Sequence, residues 1–143
     1  MLFVPKKTKF LKHHKGKTFI KIANNVSNTL LTKGSIGLKS LEFGNLSSKQ
    51  VLTLQQTLNK YIKKKGRIFI NIFPHQSITR KATKSRMGKG KGKVDFYTVK
   101  VKPGTCICEI ESLNLALSKK ALSAVKIKLP FKTKMIHEYS YYD

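Results

Sequence analysis

The most regular run of apolar positions begins at Val51 and continues through Leu54, Leu58, Tyr61 and Ile62, the spacing of one helix face. Ser47 stands where the N-cap belongs, and Gln50 completes a capping box in which hydroxyl and amide each satisfy a backbone donor. Lys63-Lys64-Lys65 fall where the helix dipole favours cations, and Gly66 is placed to take the left-handed conformation beyond the last turn. The period then switches to two. Ile68, Ile70 and Ile72 alternate with Phe69, Asn71 and Phe73, which predicts a strand over 67–73 closed by Pro74. Strands are predicted again at 94–101 and 105–111, on either side of the turn Lys102-Pro103-Gly104. A second helix is expected over 113–126, with Leu113, Ala116, Leu117, Ala121, Ala124 and Val125 as its apolar stripe and Leu129-Pro130 ending it. Shorter strands are expected at 18–22, at 35–41 and, on a sheet edge, at 131–136.

Three stretches carry no such pattern. Residues 1–34 are basic and turn-rich, with too few apolar positions for a buried element apart from 18–22, and predict an extended arm ordered by its partner. From Pro74 to Lys93 the chain is Ser, Thr, Lys, Arg and Gly, a long exposed loop of the kind that is functional or disordered in compact domains. The tail at 137–143 is polar. Strands able to pair as hairpins, with two amphipathic helices to cover one face, give an α+β two-layer domain with a mainly antiparallel sheet. The expected organisation is therefore one domain over 35–136, an arm at 1–34 and a tail at 137–143.

Charge changes the picture from a fold to a partner. Thirty Lys and Arg face six Asp and Glu in 143 residues, a formal net charge of +24, and the cations run from Lys6 to Lys134. A free domain this basic repels itself, so a polyanion is implied. No run approaches the roughly 18 apolar residues of a membrane span, so a membrane partner is not expected and nucleic acid is. The start of the chain lacks the apolar core of a secretory signal. Only Arg67, Arg80 and Arg86 are arginine; the lysine excess, with abundant Ile and Asn, is the mark of an AT-rich genome.

The densest candidate site is Arg86-Met87-Gly88-Lys89-Gly90-Lys91-Gly92-Lys93. Glycines let a backbone approach a phosphate closely and lysines supply countercharge. Neither nucleotide-binding pattern fits: Lys93 leads into Val94 and a strand, whereas a P-loop opens a helix, and the dinucleotide fingerprint also needs a following helix. A loop laid along an RNA backbone remains, against the blander alternative of a solvated linker. Cys106 and Cys108 are too close for a zinc pair, and with Ile110 they share one strand face, which makes them packing residues; no metal or cofactor is expected. His13 and His14 sit among lysines and are suited to phosphate or base contact. Glu109 and Glu111 are expected on the opposite strand face, towards solvent or cationic neighbours, and no carboxylate forms a catalytic constellation. The alternatives are an RNA-modifying enzyme and an RNA chaperone; the first needs a cofactor loop or a carboxylate constellation that the chain lacks, and no small-molecule substrate is expected.

Ordered motifs then resemble a known family. Pro5-Lys6-Lys7-Thr8-Lys9-Phe10 with His14-Lys15-Gly16, Gly34-Ser35-Ile36-Gly37-Leu38-Lys39, Gly66-Arg67-Ile68-Phe69-Ile70 with Phe73-Pro74, Arg86 to Gly92, and Lys128-Leu129-Pro130-Phe131-Lys132-Thr133 are similar, in that order, to segments of the L-sixteen family of large-subunit ribosomal proteins. The resemblance spans roughly residues 5–134. It implies a structural constituent, not an enzyme, that binds large-subunit ribosomal RNA near the aminoacyl-tRNA site and peptidyl-transferase region. Implied partners are that RNA, A-site and P-site tRNA and neighbouring large-subunit proteins. The contacts it implies are Arg86, Met87, Gly88, Lys89, Gly90, Lys91 and Gly92 in the loop, and Lys6, Lys7, Thr8, Lys9, Lys12, His13, His14 and Lys15 in the arm. Leu11 and Asn45 replace family arginines, and Gln55-Gln56-Thr57 interrupts an arginine-rich helix face. Because the family start aligns with residue 1, no targeting extension is expected. Lysine drift points to a mitochondrial matrix product, organelle-encoded, with a bacterial cytoplasm or plastid as alternatives.

Overall fold

The computed structural model describes residues 3–14, 29–88 and 90–137. Ser47 caps helix α1 (Ser48–Ile62) as its sequence requires: its Oγ accepts from the Gln50 amide at 3.3 Å, and Gln50 Oε1 accepts from the Ser47 amide at 2.8 Å. Val51, Leu54, Leu58 and Ile62 are buried on one face. Tyr61, expected among them, is 43% exposed. Thr57 is buried instead, donating to the Thr53 carbonyl and accepting from Lys128 Nζ at 2.8 Å.

The helix ends differently from expectation. Lys63, not Gly66, takes the positive φ, at 52°, and its N–H donates to the Asn59 carbonyl at 2.8 Å. Gly66 opens a strand, and what it supplies there is room: a Cβ would lie 2.6 Å from the Glu111 carbonyl oxygen and 2.7 Å from Ser112 Cβ.

Seven described strands form two antiparallel sheets. β1 (Ile36–Ser40), β3 (Gly66–Ile70), β6 (Cys106–Ser112) and β7 (Thr133–His137) make the larger, in the order β3-β6-β1-β7. β2 (Gly44–Ser47), β4 (Gln76–Arg80) and β5 (Lys93–Val101) make the smaller, in the order β2-β5-β4. The turn at Lys102-Pro103-Gly104 joins β5 to β6 but closes no hairpin. It carries the chain from one sheet to the other, and the Gly104 amide donates to the Ser40 carbonyl at 2.8 Å. β7 lies on the edge, as expected. The α+β class is thus observed, with the two expected helices and antiparallel sheets among the described residues. α1 packs on β3 and on β2 and β5, so it bridges the two sheets. The second helix, α2 (Leu115–Lys126), packs on α1, β1 and β6.

Two strands had no legible signal. Within 74–93, Gln76–Arg80 pairs with β5 as β4, so the loop proper is 81–92. β2 buries only Leu46. In α2 the register is set by Asn114, whose side chain accepts from the Leu117 amide at 3.1 Å. This leaves Leu113 outside the helix and fully exposed, and Ala116 exposed, while Ser118, Ala121, Leu122 and Val125 are buried. The strand expected at 18–22 lies outside the described residues. So does the tail beyond His137, which itself ends β7.

β6 departs most from its alternation. Cys106, Ile107, Cys108, Glu109 and Ile110 are all 0% exposed, because β3 and β1 flank the strand and both its faces are covered. Glu109, expected to face solvent, is instead a buried carboxylate. Its Oε2 accepts from the backbone amides of Thr32 (3.1 Å), Lys33 (2.7 Å) and Gly34 (2.9 Å), and its Oε1 from Asn71 Nδ2 (2.6 Å). Burial pushes its pKa up, but donors from Lys33, Asn71, Gly34 and Thr32 outweigh that and hold it below its ordinary 4.5. Burial likewise pushes the Cys106 thiol up to about 12 and raises Cys108 further, with Glu109 adding repulsion in both.

Two measurements check this interior. A carboxylate whose folded pKa is depressed contributes stability that is complete above its unfolded value and is lost as pH falls through its folded value. Glu109→Gln therefore costs on the order of 3 kcal/mol at neutral pH, the scale of charged hydrogen bonds left imperfectly paired. In urea unfolding the gap between variant and parent narrows below about pH 4.5. A gap independent of pH would show that the charge contributes nothing. The thiols are expected to resist alkylation at pH 8 in the folded chain and to react in urea, because thiolate is the reactive form; rapid labelling without denaturant would contradict their burial.

Candidate nucleic-acid interface

β4 and β5 are neighbouring antiparallel strands, so the chain between them must project from the end of the smaller sheet as a hairpin loop. From 81 to 91 every described residue is exposed, Met87 at 99%. Gly88 and Gly90 adopt φ of 91° and 73°, and no heavy atom lies within 4 Å of where either Cβ would stand. Glycine is required there by backbone conformation, since side chains with a Cβ rarely adopt it. Gly92 is different: a Cβ would strike the Arg80 backbone, 2.6 Å from its carbonyl carbon, so this glycine lets the neck of the hairpin close. Across the loop, Lys81 Nζ donates to the Gly88 carbonyl at 3.0 Å.

The described arm, residues 3–14, contains no helix or strand, yet it is not detached. Phe3 packs against the hydrophobic core. Lys12 Nζ donates to the Lys91 carbonyl at 2.8 Å, and Lys91 Nζ donates to the His13 carbonyl. His13 Nδ1 is 3.1 Å from Ser77 Oγ on β4. Arm and loop, some 79 residues apart in the chain, thus meet at the hairpin neck. Of the expected arm residues, Lys6, Lys7, Lys9, Lys12 and His14 are exposed, and Thr8 and His13 are half-buried. Lys9 Nζ lies 5.7 Å from the Phe10 ring centroid. Lys15 and Lys89 lie outside the described residues. Ser77 is the contact the sequence did not single out, because it sits in a strand with only one apolar residue.

The electrostatics are one-sided. Neither 3–14 nor 80–93 contains an Asp or Glu, while their sequences hold Lys6, Lys7, Lys9, Lys12, Arg80, Lys81, Lys84, Arg86, Lys89, Lys91 and Lys93. The Lys132–Glu42 ion pair, at 3.6 Å and solvent-exposed, lies beside β7 and neutralises none of these. Among the described residues, no group of three His, Cys, Asp or Glu is placed to hold a metal ion, and no helix is long and apolar enough to cross a membrane. The arrangement can do one thing chemically: present a thin, glycine-hinged set of cations to a polyanion.

Comparison with known proteins gives this geometry a family. The family model described as ribosomal protein L16p/L10e matches residues 5–136. The large ribosomal subunit protein uL16c of Euglena longa is 42% identical over 134 residues, covering 94% of this chain and 97% of that protein. The large ribosomal subunit protein uL16 of Psychrobacter cryohalolentis is 40% identical over 132 residues, with 92% and 94% covered. For uL16c of Emiliania huxleyi the identity is 38% over 139 residues, with 97% and 99% covered. These relatives are of plastid and bacterial type, the two alternatives to a mitochondrial origin. With matches running through arm, loop and both sheets, the chain belongs to the ribosomal protein L16p/L10e family, structural components of the ribosome rather than enzymes.

Proposed function

We propose that this chain is a constituent of the large ribosomal subunit. It binds that subunit's RNA through the arm and the Gly/Lys loop, near the aminoacyl-tRNA site and the peptidyl-transferase region, and supports tRNA positioning and subunit assembly. The observation that carries this is the meeting of arm and loop at one end of the smaller sheet, with eleven Lys and Arg and no carboxylate in the two segments. Residues that the core needs are elsewhere, so the loop is free to serve a partner. Arg86 offers a planar fork for bidentate contact with phosphate or a base edge; Lys84, Lys89 and Lys91 offer point charges. Bacterial and plastid-type relatives support a bacterial-type ribosome as the home of the chain, and the lysine-for-arginine bias supports the mitochondrial version of it.

Binding to structured RNA is expected to be steeply salt-dependent with little sequence preference. Each phosphate neutralised contributes a slope of about −0.8 in log K against log salt, so four to six contacts lose roughly a hundredfold to a thousandfold between about 50 and 200 mM. Filter binding across that range measures it, and a flat response would remove the RNA reading.

The loop separates function from fold. Arg86→Ala and Gly90→Val should leave the domain folded and able to enter large subunits, because Arg86 is exposed and the strain valine brings to the φ of 73° at Gly90 falls on an exposed loop outside the core. Leu58→Asp or Ile70→Asp should abolish folding and incorporation, since Leu58 is fully buried and Ile70 packs on the core. Purified subunits are assayed for occupancy by this protein, then for aminoacyl-tRNA binding and peptide-bond formation. Full occupancy with reduced tRNA binding in the loop variants is the expected result. Full occupancy with normal activity would make the loop a passive linker, and lost occupancy would make it an anchor.

A further inference from the structure

We infer that Lys12 and Lys91 form an anion-coupled clasp that locks the arm onto the neck of the hairpin loop, with a phosphate of the RNA backbone completing it. This rests on the RNA-binding reading above and goes beyond it, because it makes two lysines positioning residues for the whole surface. The geometry is reciprocal. Lys12 Nζ donates to the carbonyl of Lys91, and Lys91 Nζ donates to the carbonyl of His13, the residue next to Lys12. Each ammonium is thereby seated on a backbone carbonyl of the other segment, at the same crossing. Like charges brought together repel, and a carboxylate would normally offset this. None exists in 3–14 or 80–93. Each ammonium has three donors and uses one on a carbonyl, so further donors remain on both. Beside them Gly90 has nothing within 4 Å of its Cβ position, which leaves room for a ligand. The neck itself is fixed by Gly92 against Arg80, and the arm is steadied by His13 on the buried Ser77.

A phosphate between the two ammoniums removes their repulsion and so favours the closed clasp. By linkage, the closed clasp binds phosphate more tightly than a free arm and a free loop do. Closing it also orders the arm before Lys6, Lys7 and Lys9 engage the rest of the backbone, which lowers the entropy lost in each later contact. Lys12 and Lys91 then differ from the other lysines: their effects on RNA binding are coupled to one another, whereas independent phosphate contacts add.

The test uses the full chain carrying Phe10→Cys and Met87→Cys, a donor and acceptor dye on these two exposed positions, with Cys106 and Cys108 buried and unlabelled. A transcribed fragment of large-subunit RNA is the probe, with inorganic phosphate at matched ionic strength as the second arm. RNA is expected to raise energy transfer in the parent and to leave Lys12→Met and Lys91→Met unchanged. Each single variant should bind RNA roughly tenfold more weakly, about one net hydrogen bond, and the double variant no more weakly than either single. Lys7→Met with Lys84→Met, removing the same charge outside the clasp, should lose affinity additively. Additive losses for Lys12 and Lys91 on top of normal RNA binding would overturn the clasp alone. Closure by inorganic phosphate to the same extent would overturn the RNA assignment in favour of a free-anion site. Absence of salt-dependent RNA binding in the parent would sink the RNA-binding reading itself.

Discussion

A single carboxylate fixes where the basic part of this chain leaves the sheet. Glu109 lies on β6, in the middle of the larger sheet, and its Oε2 gathers the amides of Thr32, Lys33 and Gly34 just before β1 begins. Its Oε1 takes Asn71, just after β3. Both neighbours of β6 are therefore tied to the same buried charge. Burying an unpaired carboxylate would be prohibitive, and these donors are what make the position tenable. The segment at 32–34 has no ladder partner of its own, so without Glu109 its three amides would lack an acceptor in the interior. In a chain with six acids, placing one at full burial is a structural commitment to the point where β1 begins.

Excess cations elsewhere follow the opposite rule. The interior needs one anion and obtains it from Glu109; the surface carries far more positive charge than the remaining carboxylates can offset. That surplus destabilises the isolated chain by self-repulsion and is relieved by a polyanion, so assembly and stability are coupled. The hairpin loop concentrates the effect. It stands on β4 and β5, whose pairing with a bulge at Ile78/Thr79 gives it a firm base, while Gly88 and Gly90 keep its tip thin. A rigid base with a conformationally special tip is the usual way a scaffold presents a recognition loop.

Sequence patterns carried the parts of this architecture that depend on local periodicity. The capping box at Ser47 and Gln50, the stripe from Val51 to Ile62, the alternation at 68–72 and the edge position of β7 all depend on near neighbours. What stayed hidden depends on tertiary surroundings. Glu109 reads as a solvent-facing residue on an alternating strand, and only the cover supplied by 32–34 reverses that. β4 carries one isoleucine among polar residues, and its strand character comes from its partner β5. Gly66 has the right chemistry for a helix stop, but Lys63 turned the chain three residues earlier, leaving the glycine to solve a packing problem against Glu111 and Ser112. For the candidate site, the loop and arm were both legible as compositions of Lys, His and Gly. Their contact was not, because no local pattern encodes a hydrogen bond between Lys12 and Lys91.

That contact changes what the two basic segments mean. Separately, an arm and a loop would each lose conformational freedom on meeting RNA, and their charges would act as unrelated counterions. Docked on each other through Lys12, His13, Lys91 and Ser77, they present a single surface whose spacing is set by the hairpin neck. The neck is set in turn by the absence of a side chain at Gly92, and the sheet beneath it is joined to the larger sheet through α1. Charge supplies the attraction, but the geometry of that attraction is inherited from the fold. Moving these lysines to other positions on the surface would therefore preserve net charge and still lose the registration between arm and loop. Charge count and charge placement are separable properties here, and the backbone carbonyls of His13 and Lys91 are where placement is decided.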